Sequence, residues 1–283
     1  MANKRSAQEL WKELIAPKVL GSHKLYQLYL KYTFMGVQRG QWLIETLKRF
    51  KQLKGKRVLD VGSGCGGISI AFVKSGVETV NFDTARKYTI VSQRWAEENR
   101  VELNQMLASG EEMPFKDKSF DIVICSDVIE HVERPEKLVK EISRILRKDG
   151  LLYLTCPNKM SPRHIWEDSH YFLPLVVLLP RKLADIYVRA TKRGERTEVI
   201  FLPTYSKLVK MFEKVGIKLY SFELENKINE FKKFSLYGKL SRLILFYCKH
   251  VYLKWISPFW IFIGKKNNNP KKQLKVTNNK NRF

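Results

Sequence analysis

The stretch that most constrains the fold covers residues 56–67 and reads KRVLDVGSGCGG. Val58, Leu59 and Val61 are branched apolar residues of the kind that fill a buried parallel strand. The glycines that follow allow the backbone to turn sharply and to approach a ligand closely. Because residues 68–74 have helical composition, the glycine loop is predicted to lie between a strand and a helix, as in a nucleotide-binding turn.

The glycine spacing fits two classes of ligand. Gly62, Gly64 and Gly67 satisfy the GxGxxG spacing of dinucleotide-binding loops, and residues 60–66 also satisfy the DxGxGxG spacing of S-adenosylmethionine-binding loops. A pyrophosphate favours a bare helix N-terminus, whereas S-adenosylmethionine has no phosphate and carries ammonium and sulfonium cations. The negative charge of Asp60 therefore favours the methyl donor.

A second carboxylate follows the next predicted strand, residues 79–83 (TVNFD). Its position, about twenty residues beyond the glycines, is where an acidic side chain can accept hydrogen bonds from both ribose hydroxyls of a nucleoside. Asp83 is therefore predicted to bind the ribose of the cofactor.

Apolar strands continue to alternate with helices along the chain. Strands are predicted at 122–125 and 151–156, with an amphipathic helix at 135–146 and an Asp-Gly pair at 149–150 between them. A helix at 204–215 precedes predicted strands at 218–224 and 260–264. This alternation predicts an α/β fold with a doubly wound parallel sheet.

Composition limits the partners and the compartment. The 283 residues include 52 Lys and Arg against 28 Asp and Glu, a formal net charge of +24. This charge predicts either attraction to nucleic acid or anionic lipid headgroups, or only a solvated lysine-rich surface. The four cysteines form no CxxC pair, and no signal peptide or membrane-spanning run is evident. We therefore expect a cytoplasmic protein that could associate peripherally with a membrane.

Four phrases resemble the core of class I S-adenosylmethionine-dependent methyltransferases: VLDVGSGCG, VNFD, SGEEMPFKDKSFDIVICSDVIEHV and EISRILRKDGLLYLTCPN. The resemblance covers residues 58–158 and is closest to the ubiquinone and menaquinone biosynthesis branch (methyltransferase type 11-like). It implies a Rossmann-like sheet of seven strands, mostly parallel with an antiparallel last strand. It also implies a methyltransferase domain at 55–264, preceded by an N-terminal helical cap at 1–54.

The resemblance also implies which residues bind S-adenosylmethionine. These residues are Asp60, Gly62, Ser63, Gly64, Asp83, Gly110, Glu111, Ser126 and Asp127. In this assignment Gly110 and Glu111 lie along the adenine. The family often has Asp where this chain has Ser109, so the contact to the adenine amino group is expected to be weaker or to come from Glu111.

Candidate catalytic residues are His131 and His170. In the quinone O-methyltransferases, residues at positions similar to Asp127, Glu130 and His131 can hold a divalent cation. The EHV triplet recurs across the wider family without metal, and no metal is predicted here. A general base is needed only if the acceptor is a hydroxyl or an acidic carbon.

Two insertions follow the core. Residues 159–192 contain His164, His170 and the run FLPLVVLLP, and we interpret them as a lid over the acceptor side. Residues 227–258 alternate apolar, aromatic and lysine residues, which suits either an interfacial helix on an anionic membrane or a helix packed on the lid. A basic tail at 265–283 is expected to be disordered.

These features favour a methyltransferase that acts on a small or lipid-linked hydrophobic acceptor, at oxygen or carbon. Two alternatives remain open at the level of sequence. One is an RNA methyltransferase that uses the basic surface, although the chain lacks an Asn/Asp-Pro-Pro-aromatic turn after the central strand. The other is a non-catalytic protein that binds S-adenosylmethionine.

Overall fold

A computed structural model describes residues 5–16, 23–222 and 247–267. Its strands are β1 Arg57–Val61, β2 Glu78–Asp83, β3 Asn104–Leu107, β4 Phe120–Ser126, β5 Leu146–Pro157, β6 Ile217–Ser221 and β7 Phe259–Lys266. They form one sheet in the order β3-β2-β1-β4-β5-β7-β6. β7 runs antiparallel to both neighbours, and the other neighbouring pairs are parallel. The predicted fold class, a mostly parallel seven-stranded sheet with an antiparallel last strand, is confirmed.

Helices cover both faces of this sheet. They are α1 Ala7–Leu14, α2 His23–Phe34, α3 Gly36–Lys48, α4 Gly67–Lys74, α5 Arg86–Glu98, α6 Pro135–Ile145, α7 Pro162–Trp166, α8 Arg181–Ala190 and α9 Tyr205–Lys214. Shorter helical pieces are the 3₁₀ turns Ile129–His131 and Val176–Leu178 and the π-helical segment Cys248–Ile256. Thr204 caps α9, because its side chain accepts a hydrogen bond from the backbone N–H of Lys207.

Alternate residues of the central strands fill two separate cores. Leu59 and Val123 belong to a core that includes residues of α6 and α9, whereas Val58 and Ile122 belong to a core that includes residues of α3 and α4. Successive side chains of a strand point to opposite faces of the sheet. Both faces are covered here, which explains why the central strands are apolar at nearly every position.

Two strands differ from the prediction. No strand is predicted from the sequence at β3, which lies at the edge of the sheet and is short, polar and partly exposed. β5 begins at Leu146, so the Asp-Gly pair at 149–150 lies within the strand and not before it. The pairing of β4 with β5 shifts register between Phe120 and Ile122, which accommodates the additional residues of β5.

The boundaries near the C-terminal end also differ. β7 continues through Lys265 and Lys266, two residues that the sequence analysis placed in the tail. The Lys266 ammonium donates a hydrogen bond of 2.8 Å to the Leu146 carbonyl. Residues 268–283 of the predicted tail, and residues 227–246 of the second predicted insertion, lie outside the described residues. No helix within the described ranges is both long enough and apolar enough to span a bilayer.

Glycines allow α3 and α4 to pack in close contact. A Cβ atom added at Gly67 would lie 2.6 Å from the Gly36 Cα and 2.7 Å from the Trp95 ring. One added at Gly40 would lie 2.6 Å from the Ala71 Cβ. The glycine loop at the start of α4 is therefore fixed against the N-terminal helices by backbone contact.

We expect Gly67→Ala to lower the free energy of unfolding by about 1–3 kcal/mol, because the new methyl group overpacks a backbone contact. Urea denaturation followed by circular dichroism measures this change. The matched control is Gly76→Asn, since Gly76 lies in the turn that follows the same helix and has open space around an added Cβ. Asparagine tolerates its positive φ of 72°. An equal loss of stability in both variants would contradict the packing argument.

Candidate cofactor and acceptor site

The glycine loop after β1 has the backbone conformation that a close ligand approach requires. Gly62 and Gly64 have positive φ angles of 62° and 53°. An added Cβ at Gly62 would lie 2.7 Å from Val128 Cγ2, whereas at Gly64 it would meet nothing within 4 Å. Ser63 fixes the loop to β2, because its N–H donates to the Phe82 carbonyl at 2.9 Å. The loop thus leaves open space beside Gly64.

Asp83 lies at the carboxyl end of β2, next to this loop. Its Oδ2 accepts a hydrogen bond from the Gly64 N–H at 3.0 Å, and its Oδ1 accepts one from the Ala85 N–H at 2.9 Å. A carboxylate offers about four lone-pair sites, so two remain for a pair of hydroxyl groups. This geometry fits the predicted contact with a ribose diol.

Asp60 is a buried carboxylate at the start of the same loop. It is 2% exposed, and its Oδ2 accepts a hydrogen bond of 2.6 Å from the Ser69 hydroxyl. Burial raises the pKa of Asp60 to about 6, and the Ser69 hydrogen bond and the Arg39 charge oppose this shift. A cation near a buried carboxylate favours its charged form, so the site suits a positively charged ligand group.

Arg39 extends from α3 toward Asp60 and Asp127, at the carboxyl ends of the central strands. One of its terminal nitrogens lies 3.8 Å from Asp127 Oδ2. Its buried Nε has no hydrogen-bond partner among the described residues. An unpartnered guanidinium nitrogen is a donor suited to a carboxylate such as that of the methionine part of S-adenosylmethionine.

Asp127 follows β4 in a left-handed conformation, with φ of 57°. Its Oδ2 accepts a hydrogen bond of 2.5 Å from the Tyr32 hydroxyl, and its Oδ1 accepts one of 2.7 Å from the Thr155 hydroxyl. Thr155 pairs with Ser126 across β4 and β5, and the two hydroxyls lie 3.1 Å apart. Ser126 and Asp127 are therefore held at the carboxyl end of the two central strands, beside the glycine loop.

Glu111 has an ion-pair partner that the sequence analysis did not identify. Both of its carboxylate oxygens accept hydrogen bonds from Arg134, one from the backbone N–H at 2.9 Å and one from Nε at 2.6 Å. Although burial acts in the opposite direction, these bonds hold the pKa of Glu111 below its usual range. At the neighbouring Gly110, an added Cβ would lie 2.9 Å from Leu138 Cδ1, so only glycine fits without displacement of that side chain.

The two candidate catalytic histidines lie next to each other. The rings of His131 and His170 are edge to face, with centroids 5.1 Å apart. His131 Nδ1 lies 3.1 Å from the Glu198 carbonyl oxygen, which is only an acceptor. Burial, together with the charges of His131 and His164, lowers the pKa of His170 to about 3. His170 is therefore neutral at neutral pH.

Glu130 lies beside His131 and His170, and the three side chains offer atoms of the kind that bind a metal ion. One oxygen or nitrogen from each of Glu130, His131 and His170 lies within 4.8 Å of the others. Glu130 is 1% exposed, and burial raises its pKa well above the usual value. In the quinone O-methyltransferases, the third member of such a group lies at the position of Asp127. Asp127 is instead bonded to Tyr32 and Thr155, and the lid residue His170 takes that place.

Buried polar contacts hold the lid in position. The Asp168 carboxylate accepts hydrogen bonds from the N–H groups of His170, Tyr171 and Leu173 at 2.7, 2.8 and 3.0 Å. The Tyr29 hydroxyl of α2 donates to the His170 carbonyl. By contrast, His164 is buried, packs on the Phe259 ring and has its Nδ1 3.3 Å from the Asn158 carbonyl. Of the two lid histidines, only His170 thus lies beside His131.

A cavity of about 140 Å³ lies between the lid and the carboxyl end of β5. Its lining includes Asn158, His164, Asp168, His170, Thr197 and Ile200. His170 belongs both to this cavity and to the histidine pair, so the cavity adjoins the residues that could act on an acceptor.

Sequence reasoning did not single out Tyr32, Thr155 and Glu198. Thr155 could have been found by placing the carboxyl ends of the two central strands side by side, because parallel neighbours end at the same edge. Tyr32 and Glu198 reach the site through tertiary packing that no local pattern reports.

Comparison with known proteins finds relatives of the core of this fold. Residues 59–154 match the family described as "Methyltransferase domain". The ubiquinone biosynthesis O-methyltransferase of Pelagibacter ubique (strain HTCC1062) is 29% identical over 116 residues, which cover 41% of this chain and 48% of that protein. Its namesake in Coxiella burnetii (strain Dugway 5J108-111) is 31% identical over 107 residues, which cover 38% of this chain and 46% of that protein. The match spans about half the length of these relatives.

Among solved structures, the YcgJ protein from Bacillus subtilis superposes with a TM-score of 0.52. It is 19% identical, and the superposition covers 82% of this chain and all of that chain. At this identity the likeness concerns the fold alone.

Together with the sheet order and the glycine loop, the domain match identifies residues 59–154 as the core of a class I S-adenosylmethionine-dependent methyltransferase domain, whose cofactor is S-adenosyl-L-methionine. Within this class, its core is similar to the ubiquinone biosynthesis O-methyltransferases.

Proposed function

We propose that the chain transfers the methyl group of S-adenosylmethionine to a hydroxyl oxygen of a hydrophobic phenolic acceptor. An acidic carbon of a similar acceptor is the second candidate, since the same base would serve it. The observation that carries the proposal is the position of His131, which lies in the 3₁₀ turn directly after β4, four residues beyond Asp127 in the sequence.

The hydrogen bond to Glu198 determines which nitrogen of His131 can act as a base. A carbonyl oxygen can only accept, so the Nδ1 that bonds to it must carry the proton. In the neutral ring, Nε2 is then the atom with a free lone pair. A hydroxyl acceptor loses its proton as it is methylated, and Nε2 of His131 is suited to take that proton.

Other residues would bind the cofactor and orient the acceptor. S-adenosylmethionine supplies a methyl group that its sulfonium already activates, so the protein mainly aligns the acceptor and excludes water. Asp83 would hold the ribose hydroxyls, and Arg39 would hold the methionine carboxylate. The carboxylates of Asp60 and Asp127 favour the cationic groups of the same ligand.

The lid and the relatives support the proposed acceptor class. Val176, Ile200 and Leu202 contribute apolar surface to the cavity, and His164 and Asp168 contribute buried polar groups. Such a mixed lining suits a ring that carries both hydroxyl and apolar substituents. The two relatives are named ubiquinone biosynthesis O-methyltransferases, which supports oxygen as the accepting atom.

Methyl transfer from S-adenosylmethionine labelled in its methyl group tests this proposal. We expect labelled product with catechols, and kcat/KM should rise as an alkyl substituent of the catechol is lengthened. Mass spectrometry of the product identifies the methylated atom. Methylation of RNA but of no phenol, or S-adenosylmethionine binding without turnover on any phenol, would contradict the proposal.

A further inference from the structure

α8 has an apolar face that is wider than the surface it buries. Ala184 and Val188, one helical turn apart, pack into the small core of the lid. Leu183 and Ile186 lie on the adjoining side of the helix and remain 53% and 59% exposed. Helical packing within the lid thus accounts for only part of the apolar stripe of α8.

Neighbouring elements extend this apolar surface. The Leu175 N–H donates to the Ile165 carbonyl at 2.6 Å, so the exposed Leu175 lies next to α7. The Ser161 hydroxyl donates to the Ile256 carbonyl at 3.0 Å, which joins the start of α7 to the π-helical segment. We call the resulting exposed set the lid patch. Its members are Trp166, Leu175, Leu178, Leu183, Ile186 and Trp255.

Basic residues border one side of the lid patch. Lys182 and Arg189 are exposed on α8, on the side of the helix that borders Ile186. Residues 159–200 contain eight Lys and Arg against five Asp and Glu, and residues 247–258 contain two Lys and no acid. Two of the five acids are engaged within the lid, since Asp168 is buried and Asp185 accepts hydrogen bonds of 2.6 Å from Thr197. The lid patch therefore has a positive rim on the side of Lys182 and Arg189, in a segment with an excess of basic residues.

We propose that the lid patch docks the enzyme on an anionic phospholipid bilayer. This inference rests on the proposed function, because it explains how a hydrophobic acceptor reaches a cavity directly beneath the lid. Exposed aromatic and aliphatic side chains enter the headgroup boundary, and lysine and arginine attract anionic headgroups. A second copy of this chain is a poorer occupant, since two positive rims would repel one another.

Flotation of the purified full chain with phosphatidylglycerol-containing and pure phosphatidylcholine vesicles tests the proposal. We expect binding to the anionic vesicles at low salt and a marked decrease at high salt. Leu183→Ser/Ile186→Ser and, separately, Lys182→Glu/Arg189→Glu should each reduce binding by about tenfold or more. The control is Tyr220→Ser, which removes a similarly exposed aromatic residue from β6, 43% exposed.

The outcomes of these experiments distinguish the docking proposal from the proposed methyl transfer on which it rests. The patch variants should keep S-adenosylmethionine affinity and turnover of a water-soluble catechol, while they lose activity on an acceptor embedded in vesicles. Failure of the wild-type chain to bind anionic vesicles would overturn the docking proposal and leave the methyl transfer intact. Equal binding to neutral vesicles, or concentration-dependent dimerisation that the patch variants abolish, would also overturn it.

Discussion

Asp83→Asn is expected to weaken S-adenosylmethionine binding by about 10- to 100-fold, the equivalent of losing a hydrogen bond to a charged group. Asp83 accepts one hydrogen bond from the glycine loop and one from Ala85, and its remaining lone pairs suit the ribose hydroxyls. An amide has only one acceptor atom, so it cannot satisfy both the backbone and the ribose diol. Isothermal titration calorimetry with S-adenosylmethionine measures the change.

Asp149→Asn is the matched control for this variant. Asp149 is an exposed carboxylate paired with Lys265 at 3.7 Å. It lies near the start of β5, whereas the candidate site lies at the carboxyl ends of the strands. The control should bind the cofactor like the wild type. If Asp83→Asn bound S-adenosylmethionine within twofold of the wild type, the ribose assignment of Asp83 would be wrong.

The elements that the sequence predicted are those with strong local signals. Residues 56–67 combine an apolar strand with a glycine turn, so the strand, the loop and α4 follow from pattern alone. β3 carries no such signal because Asn104 and Gln105 are polar and the strand lies at an edge. The early start of β5 depends on pairing with Phe120, a contact distant in sequence.

The candidate site likewise combines features with a local sequence signal and features that depend on contacts distant in sequence. The position of Asp60 and Asp83 beside the glycine loop could be predicted, because each has a fixed distance from that loop in the sequence. The pairing of His131 with His170 could not, because it joins the end of β4 to a lid about forty residues further along the chain, and loops vary in conformation more than the elements they connect.

The helix α2 contacts both halves of the site. Its Tyr32 donates to Asp127 beside the glycine loop, and its Tyr29 donates to the His170 carbonyl in the lid. The two residues are three positions apart and therefore share one side of the helix. A displacement of α2 would thus act on Asp127 and on the lid at the same time.

His131→Asn is expected to lower kcat by about 10²- to 10⁴-fold, the usual contribution of a general base. Asparagine can place its amide nitrogen near the position of Nδ1 and keep the hydrogen bond to the Glu198 carbonyl, but it has no counterpart to Nε2. S-adenosylmethionine affinity and thermal stability should therefore change little. Steady-state kinetics with a catechol acceptor, together with calorimetric cofactor titration, measures both quantities.

His164, a buried histidine of the lid, provides the control for His131→Asn. His164 is buried against Phe259 and bonds to the Asn158 carbonyl, so His164→Asn should lower the melting temperature while kcat falls much less than in His131→Asn. Treatment with a chelator distinguishes proton transfer from a role through a bound cation, because the group of Glu130, His131 and His170 offers ligand atoms within 4.8 Å. Wild-type turnover that survives the chelator, together with a large kcat loss in His131→Asn, identifies His131 as the base. A variant that loses only stability or KM would show instead that its role is to hold the lid against the end of β4.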